Sequence, residues 1–289
     1  MSLSGSPDSM SLLRAAIAKI EASEGLALQK AGRKLPSGGG LPLEMALDGL
    51  HEIVPARAGD HAAACGFALA LARVLSKAGP APIFWIVEDF CIHENGMPYG
   101  PGLMQMGIDL ENLVLIRTSQ ARDALFAMEE ALKAGVGVVI GQIWAMQRFY
   151  DLTASRRLAL AARAGGFAAI MIYPAAQKPT ANEPFGGMAS AAVTRVEIAS
   201  ASSVPIAGLG RLAIPGAAQW NLRVMKARAS PGIYGERPKR LRFDAQKAVF
   251  IQDFTQNVVQ NALSVDPSAL SRHRPRDAVD AAGAHAKSA

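Results

Sequence analysis

Cysteine is nearly absent: Cys65 and Cys91 are the only two in 289 residues. Two cysteines exclude a disulfide framework and a four-cysteine zinc site. Long apolar runs are missing too. The nearest approach to the ~18–20 residues of a membrane span is Ala62–Leu75, and Arg73 interrupts it. Met1–Met10 contains no Lys or Arg, so no secretory n-region is expected. Gly-x-Ser-x-Gly does not occur, and neither His51 nor His61 has a Cys or Ser nucleophile in an elbow motif nearby. The expectation is a cytoplasmic protein with no membrane partner, no metal and no cofactor.

What is present describes a globular chain with a core of real size. Half of the residues are apolar and 19% are charged. The net charge of +6 is unevenly spread. Between Ile206 and Lys247 stand nine basic residues: Arg211, Arg223, Lys226, Arg228, Arg237, Lys239, Arg240, Arg242 and Lys247. Only Glu236 and Asp244 oppose them, so this segment is +7 and the rest is about −1. Such an excess attracts polyanions or acidic partners.

Periodicity organises the chain into three parts. Ser11–Lys30 reads as an amphipathic helix with Leu13, Ile17 and Ile20 at helical spacing, and Ala31–Pro42 reads as a Gly-rich linker. From residue 43 strands and helices alternate. His51–Pro55, Pro82–Val87, Leu113–Arg117, Val136–Ile140 and Phe167–Tyr173 are expected strands. A helix capped by Asp60 should run to Ala78, with Ala64, Phe67, Leu71 and Leu75 on one face. A second, capped by Ser119, carries Ala121, Leu125, Met128 and Leu132, and Leu152–Ala164 forms a third. Residues up to about Asp109 after the second strand read as irregular. This rhythm predicts an α/β fold with a mostly parallel, twisted sheet flanked by helices. Pro174–Ser190 breaks it as a long loop. Ala192–Ser200, Gln219–Ala227 and Lys239–Phe243 then look like antiparallel strands, and residues 256–289 read as a disordered tail.

Several clusters invite chemistry and yield bland readings. Glu88, Asp89, Cys91, His93 and Glu94 are ligand-type side chains at a strand end, but their spacing matches no closed zinc pattern. Cys65 falls inside a helix and reads as core packing. Arg156 and Arg157 read as solvated surface near a helix start.

The order of motifs carries a resemblance. Gly39–Pro55 is similar to the entry to the nucleotide-binding core of RecA, and Gly107–Val139 resembles the phrase before its fourth core strand. With Tyr99–Leu103 and Asp151–Leu158, the pattern is most similar to the ImuA family, over roughly residues 10–245. Those are RecA-like accessory proteins of bacterial SOS-inducible, error-prone translesion synthesis. The resemblance implies a RecA-like core at 43–255, preceded by the helix and linker of 1–42.

One motif of that core is missing. A phosphate loop needs Gly-x-x-x-x-Gly-Lys-Ser/Thr: glycine for backbone approach, lysine for phosphate charge, and a hydroxyl for Mg²⁺. Here the corresponding run is Pro55-Ala56-Arg57-Ala58-Gly59-Asp60-His61-Ala62. Pro55 replaces the first glycine, Asp60 or His61 the lysine, and an alanine the hydroxyl residue. A carboxylate at a helix N-terminus repels phosphate and can occupy the free amides itself. The metal-holding aspartate after Val136–Ile140 is also absent, with Gly141-Gln142 in its place. Glu88 alone matches the glutamate with which RecA positions its attacking water. The expectation is a pseudo-ATPase.

The resemblance implies a non-catalytic adaptor of the SOS DNA-damage response. It would be cytoplasmic, nucleoid-associated after damage, and would meet RecA on single-stranded DNA and the ImuB polymerase-like partner. Leu13, Ile17 and Ile20 would dock on RecA. Arg223, Lys226, Arg228, Arg237, Lys239, Arg240 and Arg242 would bind DNA weakly or a partner. The long loop, with Lys178 its only cation, is a poor DNA contact. Two other readings stay open here: an SOS cell-division inhibitor like SulA, and a residual nucleotide-dependent ATPase.

Overall fold

The computed structural model describes residues 40–43, 45, 47–76, 81–144, 146–174, 189–203, 216–228 and 237–252. The expected docking helix with Leu13, Ile17 and Ile20, nearly all of the Gly-rich linker, most of the 174–190 loop and the expected tail lie outside them.

The strands are β1 (Leu50–Pro55), β2 (Ile83–Glu88), β3 (Leu113–Thr118), β4 (Val138–Gln142), β5 (Ala169–Ile172), β6 (Thr194–Ala201), β7 (Gln219–Ala227), β8 (Lys239–Asp244) and β9 (Val249–Gln252). The helices are α1 (His61–Ser76), α2 (Asp89–Asn95), α3 (Gly100–Gln105), α4 (Ala121–Lys133), α5 (Met146–Phe149) and α6 (Leu152–Gly165). All nine strands join one sheet in the order β3-β2-β4-β5-β1-β6-β7-β8-β9. Strands β1 to β6 are mutually parallel, and β7, β8 and β9 continue antiparallel from β6. The expected α/β class is what the chain adopts.

Handedness explains which helix covers which face. From β1 to β2 and from β2 to β3 the chain moves one way along the sheet; from β3 to β4 and β4 to β5 it moves back. Right-handed crossovers therefore place α1, α2 and α3 on one face and α4 and α6 on the other. Strand alternation feeds both cores. Ile83, Trp85 and Val87 of β2 join the α1 core, while Ile86 joins the α4/α6 core. In β5, Ile170 and Ile172 face α1, and Ala169 and Met171 face α6. The anticipated stripe Ala64, Phe67, Leu71 and Leu75 is fully inside, with Phe67 packed edge-on against Trp220 of β7 and tilted against Phe250 of β9.

Two close approaches need glycine. A Cβ on Gly141 would overlap the Met128 side chain of α4, which packs directly over β4 there. A Cβ on Gly165 would meet the Leu132 carbonyl oxygen at 1.8 Å, which fixes the close contact of α4 with α6.

The structure departs from the sequence reading in several places. Residues 89–109 hold two short helices, α2 and α3, rather than an irregular stretch. Gln120, not Ser119, occupies the N-cap position of α4, and it makes no side-chain cap bond. Strand β6 is not purely antiparallel: it pairs parallel with β1 and antiparallel with β7, because it joins the two halves of the sheet. Strand β9, at Val249–Gln252, has too few residues to show a period. Among the described residues no helix is long and apolar enough to cross a membrane.

Candidate functional site: the strand ends and the basic sheet face

The carboxyl ends of parallel strands, near a topological switch, are where open α/β sheets bind ligands. Here β1 passes into α1 through a tight turn. Pro55 has no N–H, Ala56 N–H donates to the Ile198 carbonyl (2.8 Å), and a 3₁₀ turn at Ala58–Asp60 sends Asp60 N–H to the Arg57 carbonyl (3.0 Å). Backbone amides that could cradle phosphate are thus partly committed to other carbonyls.

Asp60 is 1% exposed. Its Oδ1 accepts from Ser200 N–H (2.9 Å) and Ser200 Oγ–H (2.6 Å), and its Oδ2 accepts from Arg57 Nε–H (3.1 Å). The carboxylate therefore ties β6 to the start of α1 instead of capping the helix, which corrects the expected N-cap. Burial pushes its pKa up, but the Ser200 bonds and the Arg57 charge outweigh this and hold it below the usual carboxylate value.

His61 and Gln142 meet directly. The Gln142 amide donates from Nε2 to His61 Nε2 at 2.9 Å, so the neutral ring carries its proton on Nδ1. That Nδ1 has no hydrogen-bond partner among the described residues. Burial lowers the His61 pKa. Ala62, the next residue, is an exposed position of α1. Glu88 ends β2, and its Oε2 accepts the Trp144 N–H at 2.8 Å, bridging to the chain after β4. Next to it, Asp89 pairs with Arg117 (2.8 Å). Cys65 and Cys91 pack as apolar residues, and burial pushes both thiols up to about 12.

A second polar cluster is one that the sequence reading overlooked. Glu52 on β1 is fully buried beneath the sheet face that α6 covers. It accepts from Arg195 Nε–H (2.6 Å) and from Tyr150 O–H (2.7 Å). Arg195 also donates to Tyr173 Oη and Ser190 Oγ, both at 3.1 Å, and lies over the Tyr173 ring. Burial, then the Glu52 charge, raises the Tyr150 pKa well above its ordinary value. The signal was available: a glutamate in the middle of an apolar parallel strand has to find a buried cation.

The basic residues lie on the antiparallel half. Arg240 stands opposite Asn221, and Arg242 opposite Gln219. A bulge between Arg195 and Val196 skips Met225, so Arg223, Lys226 and Arg195 share one sheet face although their numbering has mixed parity. Arg223 is clasped by Glu197 through two bonds (2.8 and 2.6 Å). Lys226 Nζ donates to the Ser190 carbonyl (2.7 Å), and burial, reinforced by Arg228, lowers its pKa. Arg240 donates from Nε to Gln219 (2.9 Å). Arg228 and Arg237 are exposed, and Arg242 and Lys239 half-exposed.

No protein-family model matches the chain. The curated protein ImuA from two strains of Caulobacter vibrioides is 30% identical over 181 residues. The matched stretch is 58% of this chain and 65% of that protein, so the chain spans just under two thirds of the relatives it matches. Among solved structures, SulA from Pseudomonas aeruginosa aligns with a TM-score of 0.32 at 19% identity, over 43% of this chain and 97% of that one.

Proposed function

We propose that this chain is a non-catalytic, RecA-like adaptor of the SOS DNA-damage response. It would support error-prone translesion synthesis by engaging RecA on single-stranded DNA and an ImuB-like polymerase partner. The observation that carries the non-catalytic reading is the state of Asp60. In the place of the phosphate-loop lysine region stands a buried carboxylate, locked to Ser200 and Arg57. Incoming phosphate would meet like charge; at ~4 Å two unit charges repel by roughly 1–4 kcal/mol for dielectrics of 80 to 20. Glu88, the one carboxylate kept from the ATPase pattern, is engaged by the Trp144 amide. The SOS reading is supported by the similarity to ImuA over 181 residues.

Calorimetry with millimolar Mg·ATP tests the first half. Only heats of dilution are expected. Saturable binding that disappears in Glu88→Ala would overturn the pseudo-ATPase and favour a nucleotide-dependent enzyme. Retention of the purified protein on RecA filaments, and on purified ImuB, tests the second half; retention on neither would end the adaptor reading.

A further inference from the structure

On the sheet face opposite α1, helices α4, α5 and α6 enclose a cleft of about 360 Å³. Its floor is Leu125, Leu158, Ala154 and the Phe149 ring, and Phe126, 62% exposed, stands at its rim. The volume is at the small end of the ~300–1,000 Å³ typical of ligand pockets, enough for one or two side chains.

Positive charge surrounds this apolar floor. Arg148 and Arg122 lie over the Phe149 ring, with guanidinium carbons 5.2 and 5.9 Å from its centroid. Neither makes an ion pair with a carboxylate among the described residues. The single acid in the lining, Glu129, is buried and already neutralised by Lys133 (2.8 Å) and Arg157 (2.6 Å). Burial works against its charged form, yet these two cations hold its pKa below the ordinary value. The cleft thus presents an apolar slot lined by Arg122, with Arg148 outside the lining on the same Phe149 ring, and no free anion.

Its length separates a peptide from a nucleic acid. Arg122 to Glu129 is seven helical steps, ~10 Å at 1.5 Å per residue, short for a strand of several nucleotides and enough for a few peptide residues. We propose that the cleft docks a short acidic peptide segment of a partner protein. One aromatic or branched aliphatic side chain would enter between α4 and α6, and flanking carboxylates would be held by Arg122 and Arg148. Bulky apolar anchors within a charged rim are how small docking sites acquire affinity and specificity. The inference needs neither nucleotide nor RecA and stands apart from the function proposed above.

The test starts from the full-length protein and a random 12-residue phage-displayed library, counter-selected on the Arg122→Glu/Arg148→Glu double variant. Enriched sequences should place Asp or Glu beside Phe, Trp, Leu or Ile. One selected peptide, fluorescein-labelled, is then titrated by anisotropy. Binding should weaken about tenfold or more in the double variant and in Phe126→Ala, with thermal melting unchanged. Failure to enrich acidic sequences, or equal affinity for the double variant, overturns the proposal. So does binding of an oligothymidine that the double variant loses, which would assign the cleft to nucleic acid. Self-association abolished by the same variant would assign it to a second copy of the chain and likewise overturn it.

Discussion

Asp60 on the turn before α1 is held through a single oxygen by both the amide and the hydroxyl of Ser200 on β6, at 2.9 and 2.6 Å. A buried, charge-assisted pair of bonds of this kind makes Asp60 a joint between the two strands flanking the strand-end site. Asp60→Asn should therefore lower the urea-unfolding free energy by roughly 1.5–3 kcal/mol. Asp60→Lys, which installs a phosphate-loop lysine, should cost more, because it buries an ammonium beside Arg57. Neither variant should gain Mg·ATP binding. A stable Asp60→Lys protein that binds ATP would mean that the joint is dispensable and the site latent.

His61 supplies a pH dependence. Its folded pKa lies below the ordinary 6.5, because burial disfavours the imidazolium. The unfolded chain then binds more protons than the native one below pH 6.5, so this contribution is complete above that pH and is lost as pH falls. The urea midpoint should drop between pH 7.5 and 5.5, and His61→Gln should flatten that slope. An unchanged slope in the variant would assign the dependence to another group.

The Glu52–Arg195 pair should be costly to break. Glu52→Gln leaves the Arg195 guanidinium buried without its counter-charge, and about 3–5 kcal/mol of stability should go with it. Tyr150→Phe removes one bond to the same carboxylate and should cost roughly 1–3 kcal/mol. Denaturation curves for the two variants give both numbers. Equal losses would show that the Glu52 charge adds nothing beyond one ordinary hydrogen bond.

These sites differ in how far the sequence revealed them. The α/β rhythm and the Ala64–Leu75 stripe were readable because each element buries one face, and burial writes its period into the chain. That Pro55–Ala62 lacks the lysine and the hydroxyl residue of a phosphate loop was readable because it is a matter of residue identity at each position. The destination of the Asp60 carboxylate was not readable: Ser200 lies 140 residues away, and no local signal competes with the simpler expectation of a cap. The Glu52–Arg195 contact is likewise set by the parallel register of β1 with β6, which only the assembled sheet defines. Helices α2 and α3 escaped notice because each is too short for periodicity to show.

The bulge opposite Arg195 decides what the basic segment can do. By skipping Met225 it brings Arg223 onto the face that holds Lys226, with Arg240 and Arg242 on the neighbouring strand. Gln219 to Ala227 is eight strand steps, ~26 Å at about 3.3 Å per residue, with Arg228 just beyond, long enough for several nucleotides. Glu197 neutralises Arg223, so any phosphate contact on this face is expected from Lys226, Arg228, Arg240 and Arg242. Binding to single-stranded DNA should be weak and independent of sequence, because such a face reads charge and not base edges. Four neutralised phosphates predict a log–log salt slope of about −3, from ~0.7 per contact on single strands. Lys226 and Arg240 also hold backbone and side-chain oxygens, so reversing them risks the fold. Arg228→Glu with Arg242→Glu is the cleaner variant. It should bring the slope to about −1.5 on the same per-contact scale, with melting unchanged. If fluorescence titrations across salt concentrations give the same slope for the double variant as for the parent chain, this face is only solvated and any contact with DNA lies elsewhere.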